Sequence, residues 1–433
     1  MKIAYCSPFS PLKSGISDFS EELVPELAKM VDIDLFYEEP IQNEELCSKF
    51  SCYDIKCLDD EKISSAYDLI IYQMGNSFDC HKGIAEMMLK HPGILELHDI
   101  SLHHFLAADK FVSNKLDEYK EIVRYCHGEK GIRLVEEFLN GQAGAPWETH
   151  PLELTVNKHY VDSSLGVIVH SDMAKQMVKA ERPGVPIINI PLHVPDLIAN
   201  TPETKSEAKK ALGIPEKCVV LGAFGFATKT KRILETLEAL SKYKKRDFRY
   251  VVVGKQVDLD LEKEAERLGI SDKVIVTGYI TLDEYKQYMR ACDICVNLRY
   301  PTNGESSANL QRILGMGIPA IVTDIGTFSE YPDSCTFKVS YGSNEISDIL
   351  NAIDKLASDS RAYQQYSKAA AEFISSTARI EMNCRKYADF FRDVKNGTFT
   401  ETDMADRLLD DALANGFYDE DYLVKLLEKV ENQ

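Results

Sequence analysis

The sequence predicts two α/β domains in tandem, each a parallel β-sheet clothed by helices. Three observations carry that expectation. Short apolar runs ending in polar turns alternate with amphipathic helical stretches. The alternation runs through the first 175 or so of the 433 residues and resumes near residue 216. Between the two series lies ERPGVPIINIPLHVPD (181–196), which holds four prolines and no helical pattern, and it reads as the linker between the domains.

In the first series KIAYCSPF is a strand, and the stretch from Ser17 to Met30 places Phe19, Leu23, Leu27 and Met30 at helical spacing, with Ser17 as its cap. VDIDLFY follows as a strand, a βαβ start that predicts a parallel sheet. DLIIYQM (68–74), GILELHD (93–99) and LGVIVHS (165–171) are further buried strands. The segment 104–160 is helix-rich, contains the single tryptophan Trp147, and reads as a helical insertion.

The second series holds strands at 218–226, 249–255, 273–279, 293–301 and 318–326, with helices at 231–243, 260–269 and 307–317. The expected division is therefore an N-terminal domain at 1–195, a second domain at 196–375, and C-terminal helices at 376–433. The last 33 residues hold 10 acidic and 3 basic side chains, with leucines spaced for one amphipathic hairpin. Such an acidic tail is expected to pack on a domain face or to meet a protein partner.

Composition narrows the function. At 44% hydrophobic and 27% charged residues the chain is ordinary globular protein. A net charge of −19 argues against binding nucleic acid or an anionic membrane through bulk charge. No run of about 18 apolar residues suggests a membrane span, and the N-terminal run IAY is too short for a signal core, so a cytoplasmic protein is expected. The eleven cysteines are scattered. Cys292 and Cys295 form a single CxxC where a zinc ribbon needs two, so reduced buried thiols are expected.

Five segments carry chemistry, each at the carboxyl end of an expected strand, where α/β sheets bind ligands. SPLKSG (10–15) sets Gly15 before a helix, where backbone amides can approach a phosphate, although the same residues also make a plain βα turn. GAFGFATKTKR (222–232) places Gly225 and Phe226 at a strand end and groups Lys229, Lys231 and Arg232 at a helix start, an electropositive pocket suited to a diphosphate. RYPTNGESSANLQRILGMGIP (299–319) is a second anion-competent turn, in which Ser306, Ser307 and backbone amides can hold phosphate oxygens. Glu305 in that turn suits a hydroxyl, so carboxylate and phosphate nest together fit a sugar phosphate. LHDISLHH (97–104) brings His98 and Asp99 to the crevice, with His103 and His104 a helical turn on. The spacing matches no recognised zinc or magnesium set, so His98 is expected to touch a ligand and no metal is expected. In YQMGNS (72–77), Asn76 suits either a ligand hydroxyl or a turn.

Taken in order, these pieces resemble the GT-B glycosyltransferases of family GT4, the retaining nucleotide-sugar transferases also called glycosyl transferases group 1. The resemblance runs from residue 1 to about 395 and is strongest in GFATKTKRI, DKVIVTGYITLDEYKQYMRACDICVNLR and GESSANLQRILGMGIPAIVTDIGTFSEYPD. It implies two Rossmann-like domains facing each other across a cleft, with C-terminal helices returning to the N-terminal domain. It implies a metal-independent hexosyl transfer from a nucleotide-diphosphate sugar, a substrate rather than a cofactor, to a hydroxyl of a glycan, lipid-linked glycan or protein. The implied catalytic residues are His98, Lys231 and Glu305. The implied donor contacts are Gly15, Gly225, Phe226, Lys231, Arg299, Gly304, Glu305, Ser306, Ser307, Asn309, Gly278 and Tyr279, with Asn76 and Asp99 toward the sugar or acceptor.

Two features depart from that pattern, at three positions. The family carries two glutamates eight residues apart; counted back from Gly317-Ile318-Pro319 these positions are Gly304 and Arg312, with Glu305 one residue off the first. The usual phosphate-strand arginine is replaced at about Phe226, and Arg299 is the candidate substitute. Two other readings share the architecture: a catalytically inactive partner subunit, which the missing glutamate and acidic tail favour, and a nucleotide-sugar 2-epimerase.

Overall fold

The computed structural model describes residues 1–12, 14–195 and 200–398. The first sheet has seven parallel strands in the order β3-β2-β1-β4-β5-β6-β7. They are β1 (Lys2–Cys6), β2 (Asp32–Tyr37), β3 (Cys52–Asp54), β4 (Leu69–Met74), β5 (Ile94–Leu97), β6 (Gly166–Val169) and β7 (Ile187–Asn189). The second has six, ordered β10-β9-β8-β11-β12-β13. Its strands are β8 (Val219–Phe224), β9 (Phe248–Val253), β10 (Val274–Gly278), β11 (Ile294–Asn297), β12 (Ala320–Thr323) and β13 (Thr336–Val339). The expected pair of Rossmann-like domains is what forms. Helices seal both faces of each parallel sheet, so every residue of β4, β5, β6, β8 and β12 is buried, and all but Gln73, Glu96 and Thr323 are apolar.

Several boundaries differ from the expectation. The linker segment 181–196 contains β7, which pairs with β6 as Val167↔Ile187 through Val169↔Asn189, so the sheet extends into the proline-rich stretch. The prolines flank the three paired residues and leave the ladder intact. β3 and β13 are short edge strands that the alternation did not announce. The first helix spans Gly15–Leu27 rather than starting at Ser17, because Ser14 caps it by accepting from the Ile16 amide at 3.2 Å. The insertion is helical, with helices at His103–Val112, Leu116–Leu139, Pro146–Thr149 and Lys158–Val161. Gly128, at φ 61° and ψ −157°, breaks the second of these into two.

The chain crosses between the domains twice, side by side. After β7 it passes into the second domain, and after the helix Ser360–Thr377 it returns. The Val194 amide donates to the Ala378 carbonyl at 2.8 Å where the two crossings touch. The final described helix, Ile380–Asn396, then packs on the first domain. Ile380, Cys384, Tyr387, Phe390 and Phe391 join Tyr5, Leu23, Leu27 and Ile71 in one apolar cluster. Burial of each large side chain contributes roughly 1.5–3 kcal/mol, which fixes the returning helix on the N-terminal sheet. The acidic tail at 401–433 lies outside the described residues. No described helix is long and apolar enough to cross a membrane.

Direct contacts also join the domains. The Ser101 amide donates to the Asn303 carbonyl at 3.1 Å. Glu330 accepts from the amides of Asp172 (3.0 Å) and Met173 (2.5 Å), placing a carboxylate of one domain at a helix N-terminus of the other. Gly304, at φ +72°, presses on Ile100; a Cβ there would sit 2.0 Å from Ile100 Cγ2. Glycine is what allows the backbones of the two domains to approach at this point.

Candidate active site in the interdomain cleft

The carboxyl ends of the two sheets face one another across a cavity of about 1050 Å³. From the first domain come the turn after β1 (Ser14, Gly15), the turn after β4 (Asn76), and His98 and Asp99 after β5. From the second come Phe226 and Lys231 after β8, Arg299 after β11, and Glu305, Ser306, Ser307 and Asn309 from the next turn and helix. Residues up to about 300 positions apart in sequence thus meet because both sheets end at the same crevice.

The cationic side is built on a three-residue turn, Lys229–Lys231, that follows β8. Lys231 folds back so that Nζ donates to the Phe224 carbonyl at 2.7 Å. Gly225 makes room for it; a Cβ there would lie 2.9 Å from that Nζ. Desolvation in the cleft, and then the neighbouring charge of Arg299, lower the Lys231 pKa to about 7. Arg232 also borders the cavity, but its guanidinium is engaged by glutamates. It adopts φ 55° and pairs with Glu345 through Nε at 3.0 Å and Nη2 at 2.5 Å, which braces the domain beside the cleft.

Glu305 sits opposite. Its Oε1 lies 2.6 Å from Arg299 Nε, and its Oε2 accepts from Thr302 Oγ1 and the Asn303 amide, both at 2.8 Å. Arg299 therefore faces the cleft next to Lys231 with part of its charge answered by Glu305. Ser307 caps the helix Ala308–Gly315 by accepting from the Leu310 amide at 3.2 Å, and its own proton goes to Asn297 Oδ1 at 3.3 Å. The Ser306 hydroxyl donates to the His170 carbonyl of the other domain at 3.1 Å. Both serine hydroxyls are thus committed to protein, contrary to the expectation that they reach a phosphate. The first-turn amides of this helix, which have no intrahelical acceptor, are the anion-facing groups that remain.

On the N-terminal side Asp99 accepts from the Asn76 amide at 2.8 Å, while Asn76 Oδ1 accepts from the Phe105 amide at 2.9 Å. Asn76 is thereby a cap for the insertion's first helix as well as a cleft residue. Burial, and then the charge of Glu305, push the Asp99 carboxyl up to about 6. His103 is sealed in the insertion, bonded to the Tyr119 hydroxyl at 2.6 Å, whereas His104 and Trp147 line the cleft mouth. Gly278 ends edge strand β10 and Tyr279 follows it, both outside the walls of this cavity, and Gly304 is turned against Ile100. Cys292 and Cys295 are buried free thiols.

Arg312, which stands where the resemblance leads one to expect a glutamate, reaches across the interface. Its Nη2 lies 2.8 and 2.7 Å from the two oxygens of Glu22 on the first helix, and His193 Nε2 approaches the same carboxylate at 3.4 Å. The position serves an ion pair between the domains.

Sequence reasoning passed over Glu22, Glu330, Gln73 and Glu96. The signal for the last two was present: each is a polar residue inside an otherwise apolar strand, in LIIYQM and ILEL. Glu96, His98 and His170 bring donor atoms within 4.8 Å of one another, the one group of metal-ligating type among the described residues. In this arrangement both Glu96 oxygens already accept hydrogen bonds, from Tyr387 and Gln73, and His170 Nδ1 is bonded to the Ile190 carbonyl at 2.7 Å.

Residues 204–373 match the family model of glycosyl transferases group 1. No curated protein sequence matches the chain. Among solved structures, the chain is similar to Anabaena HepE in complex with UDP-glucose, at 16% identity and TM-score 0.64, covering 91% of this chain and 100% of that one. It is also similar to a sucrose-phosphate synthase from Thermosynechococcus elongatus, at 14% identity and TM-score 0.62, covering 92% and 100%. A glycosyltransferase from Rickettsia africae gives 14% identity and TM-score 0.63, covering 91% and 98%. The fold is accordingly the GT-B arrangement, two Rossmann-like domains around a cleft.

Proposed function

We propose that the chain is a retaining glycosyltransferase of the GT4 type that moves a hexosyl group from a nucleotide-diphosphate sugar to an acceptor hydroxyl. The observation that carries this reading is the grouping of Lys231 and Arg299 beside the N-terminus of the helix Ala308–Gly315, with the Glu305 carboxylate next to them. Two cations and a helix start suit a diphosphate, and a carboxylate suits sugar hydroxyls. The match to glycosyl transferases group 1, and the binding of UDP-glucose by the similar HepE, support the same choice.

In this mechanism the bond from the anomeric carbon to the diphosphate oxygen breaks as the acceptor oxygen attacks from the same face. The acceptor proton passes to the departing phosphate oxygen. Lys231, Arg299 and the helix amides stabilise the charge that grows on the diphosphate, a task that needs no metal ion and no cofactor. His98 orients the donor sugar, and closure of the domains supplies proximity. The acceptor is a glycan, a lipid-linked glycan or a protein. Arg312, in place of the second carboxylate, favours the alternative of an inactive partner subunit, which would bind nucleotide without turnover.

The depressed Lys231 pKa gives a test with a definite sign. In the empty cleft the amine loses its proton above about pH 7. Diphosphate favours the ammonium form, so binding takes up a proton there. Calorimetric titration with UDP, GDP, ADP and dTDP, in buffers of differing ionisation enthalpy, is expected to find one nucleotide whose affinity falls by up to about tenfold per pH unit above 7. Affinity that stays flat from pH 6.5 to 9, or no binding at all, contradicts the assignment.

A further inference from the structure

Gln73 on β4 and Glu96 on β5 are fully buried and are direct register partners in the first sheet. Parallel strands covered on both faces are ordinarily apolar, and buried polar groups persist only where their bonds are satisfied. Here the bonds form a chain with one direction. The Tyr387 hydroxyl, on the returning C-terminal helix, donates to Glu96 Oε1. Gln73 Nε2 donates to Glu96 Oε2 at 2.5 Å, and Gln73 Oε1 lies 2.7 Å from His98 Nε2. His98 follows β5 directly, tied to β4 by its own amide bonded to the Met74 carbonyl at 2.9 Å.

The direction follows from donor and acceptor chemistry. An ionised carboxylate only accepts, so Glu96 draws the amide nitrogen of Gln73 toward itself. That leaves the Gln73 oxygen, also an acceptor only, facing His98. The histidine must then carry its proton on Nε2, which leaves Nδ1 as a lone-pair acceptor. Nδ1 has no protein partner among the described residues, and His98 lines the cleft. Burial, reinforced by His170, His81 and His193, holds the His98 pKa well below its ordinary value. The ring is therefore neutral, and its tautomer is the property left to be set.

We propose that Gln73, Glu96 and Tyr387 are positioning residues that fix His98 in the Nε2–H tautomer, so that Nδ1 accepts a hydrogen bond from a hydroxyl of the bound sugar. The ligand half of this statement rests on the donor-site reading above; the tautomer half does not. A phosphate oxygen has no proton to offer at that nitrogen, so the relay selects hydroxyl over phosphate there. It also connects the returning helix to the cleft, because the chain of bonds begins on Tyr387.

The other groups that face Glu96 leave this polarity intact. His170 Nε2 stands 3.6 Å from Glu96 Oε1, and its Nδ1 is already bonded to a carbonyl. The Tyr5 hydroxyl, also nearby, pairs with Ser20 Oγ at 3.2 Å. Burial pushes the Glu96 carboxyl up to about 7, so the relay is read at pH 8, where Glu96 is ionised.

The test is proton–nitrogen correlation spectroscopy of the full chain labelled with ¹⁵N-histidine, with His98→Ala assigning the signal. At pH 8 the wild type is expected to show His98 with Nδ1 unprotonated. Gln73→Leu is expected to give a mixture of tautomers and to lower kcat/KM for the sugar donor by up to about tenfold, the loss of one neutral hydrogen bond. Glu96→Gln provides a second variant of matching shape, in which the Gln73 amide loses its fixed orientation and the tautomers again mix. A wild-type His98 protonated on Nδ1 overturns the proposal, as does an unchanged single tautomer in both variants. If no nucleotide sugar binds, the donor-site reading fails while the spectra still decide the relay.

Discussion

Replacing Lys231 by methionine is expected to lower turnover with a nucleotide sugar by at least about 10²–10³-fold, the usual cost of removing one preorganised stabilising group. The same change is expected to leave the melting temperature equal or higher. The folded-state pKa of Lys231 lies near 7, below the ordinary lysine value, because the cleft desolvates the amine and Arg299 repels it. The folded protein therefore holds the charged form at a cost at neutral pH, and its one hydrogen-bond acceptor among the described residues is the Phe224 carbonyl. A residue kept against stability is kept for a ligand. Steady-state kinetics and thermal unfolding on the same preparation check this. Near-wild-type turnover sinks the phosphate assignment, and a large fall in melting temperature shows a structural lysine instead.

Glu305→Gln is the second large effect. The side chain is the hub of its turn, accepting from Thr302 Oγ1 and the Asn303 amide while facing Arg299 at 2.6 Å. Glutamine keeps the shape but has only one acceptor oxygen, so either Arg299 or the turn loses a partner. It also removes the charge available to sugar hydroxyls. The expected outcome is a fall of about 10²-fold in kcat/KM for the donor. A smaller change follows for free nucleoside diphosphate, whose phosphates meet Lys231 rather than Glu305. Unchanged donor kinetics refute the role. Asp99 offers an internal check, since Glu305 helps to push its carboxyl up to about 6. In the variant that pKa should move down, and carbon NMR of labelled aspartate reads it.

The strand-and-helix alternation was legible because parallel strands covered on both faces are predominantly apolar, a signature that GVIV and VVLGAF carry in full and LIIYQM carries but for Gln73. The cations grouped after a glycine-ended strand and the Gly-Glu-Ser-Ser turn marked the cationic turn and the Glu305 segment, and the resemblance pointed to the same places. Edge strands β3 and β13 were silent, being three and four residues long. β7 was hidden because prolines on either side outweighed a three-residue pairing. The serine hydroxyls at 306 and 307 read as phosphate ligands because sequence shows donors without showing their partners; the His170 carbonyl and Asn297 Oδ1 take those protons first. Arg312 was visible as a departure, but its Glu22 partner lies 290 residues away and only the interface reveals it. Gln73 and Glu96 were legible as anomalies, two polar residues in sealed strands, although nothing local pairs them.

The central claim is that the cleft is a nucleotide-sugar donor site in which Lys231, Arg299 and backbone dipoles do the electrostatic work. Its most direct test is to incubate the purified chain with UDP-, GDP-, ADP- and dTDP-sugars, with and without EDTA, and to follow release of nucleoside diphosphate. Slow donor hydrolysis makes the measurement possible before the acceptor is known. Release from one donor class, undiminished by EDTA and lost in Lys231→Met, is the predicted result. No release from any donor, together with no thermal shift on adding nucleotides, would contradict the account.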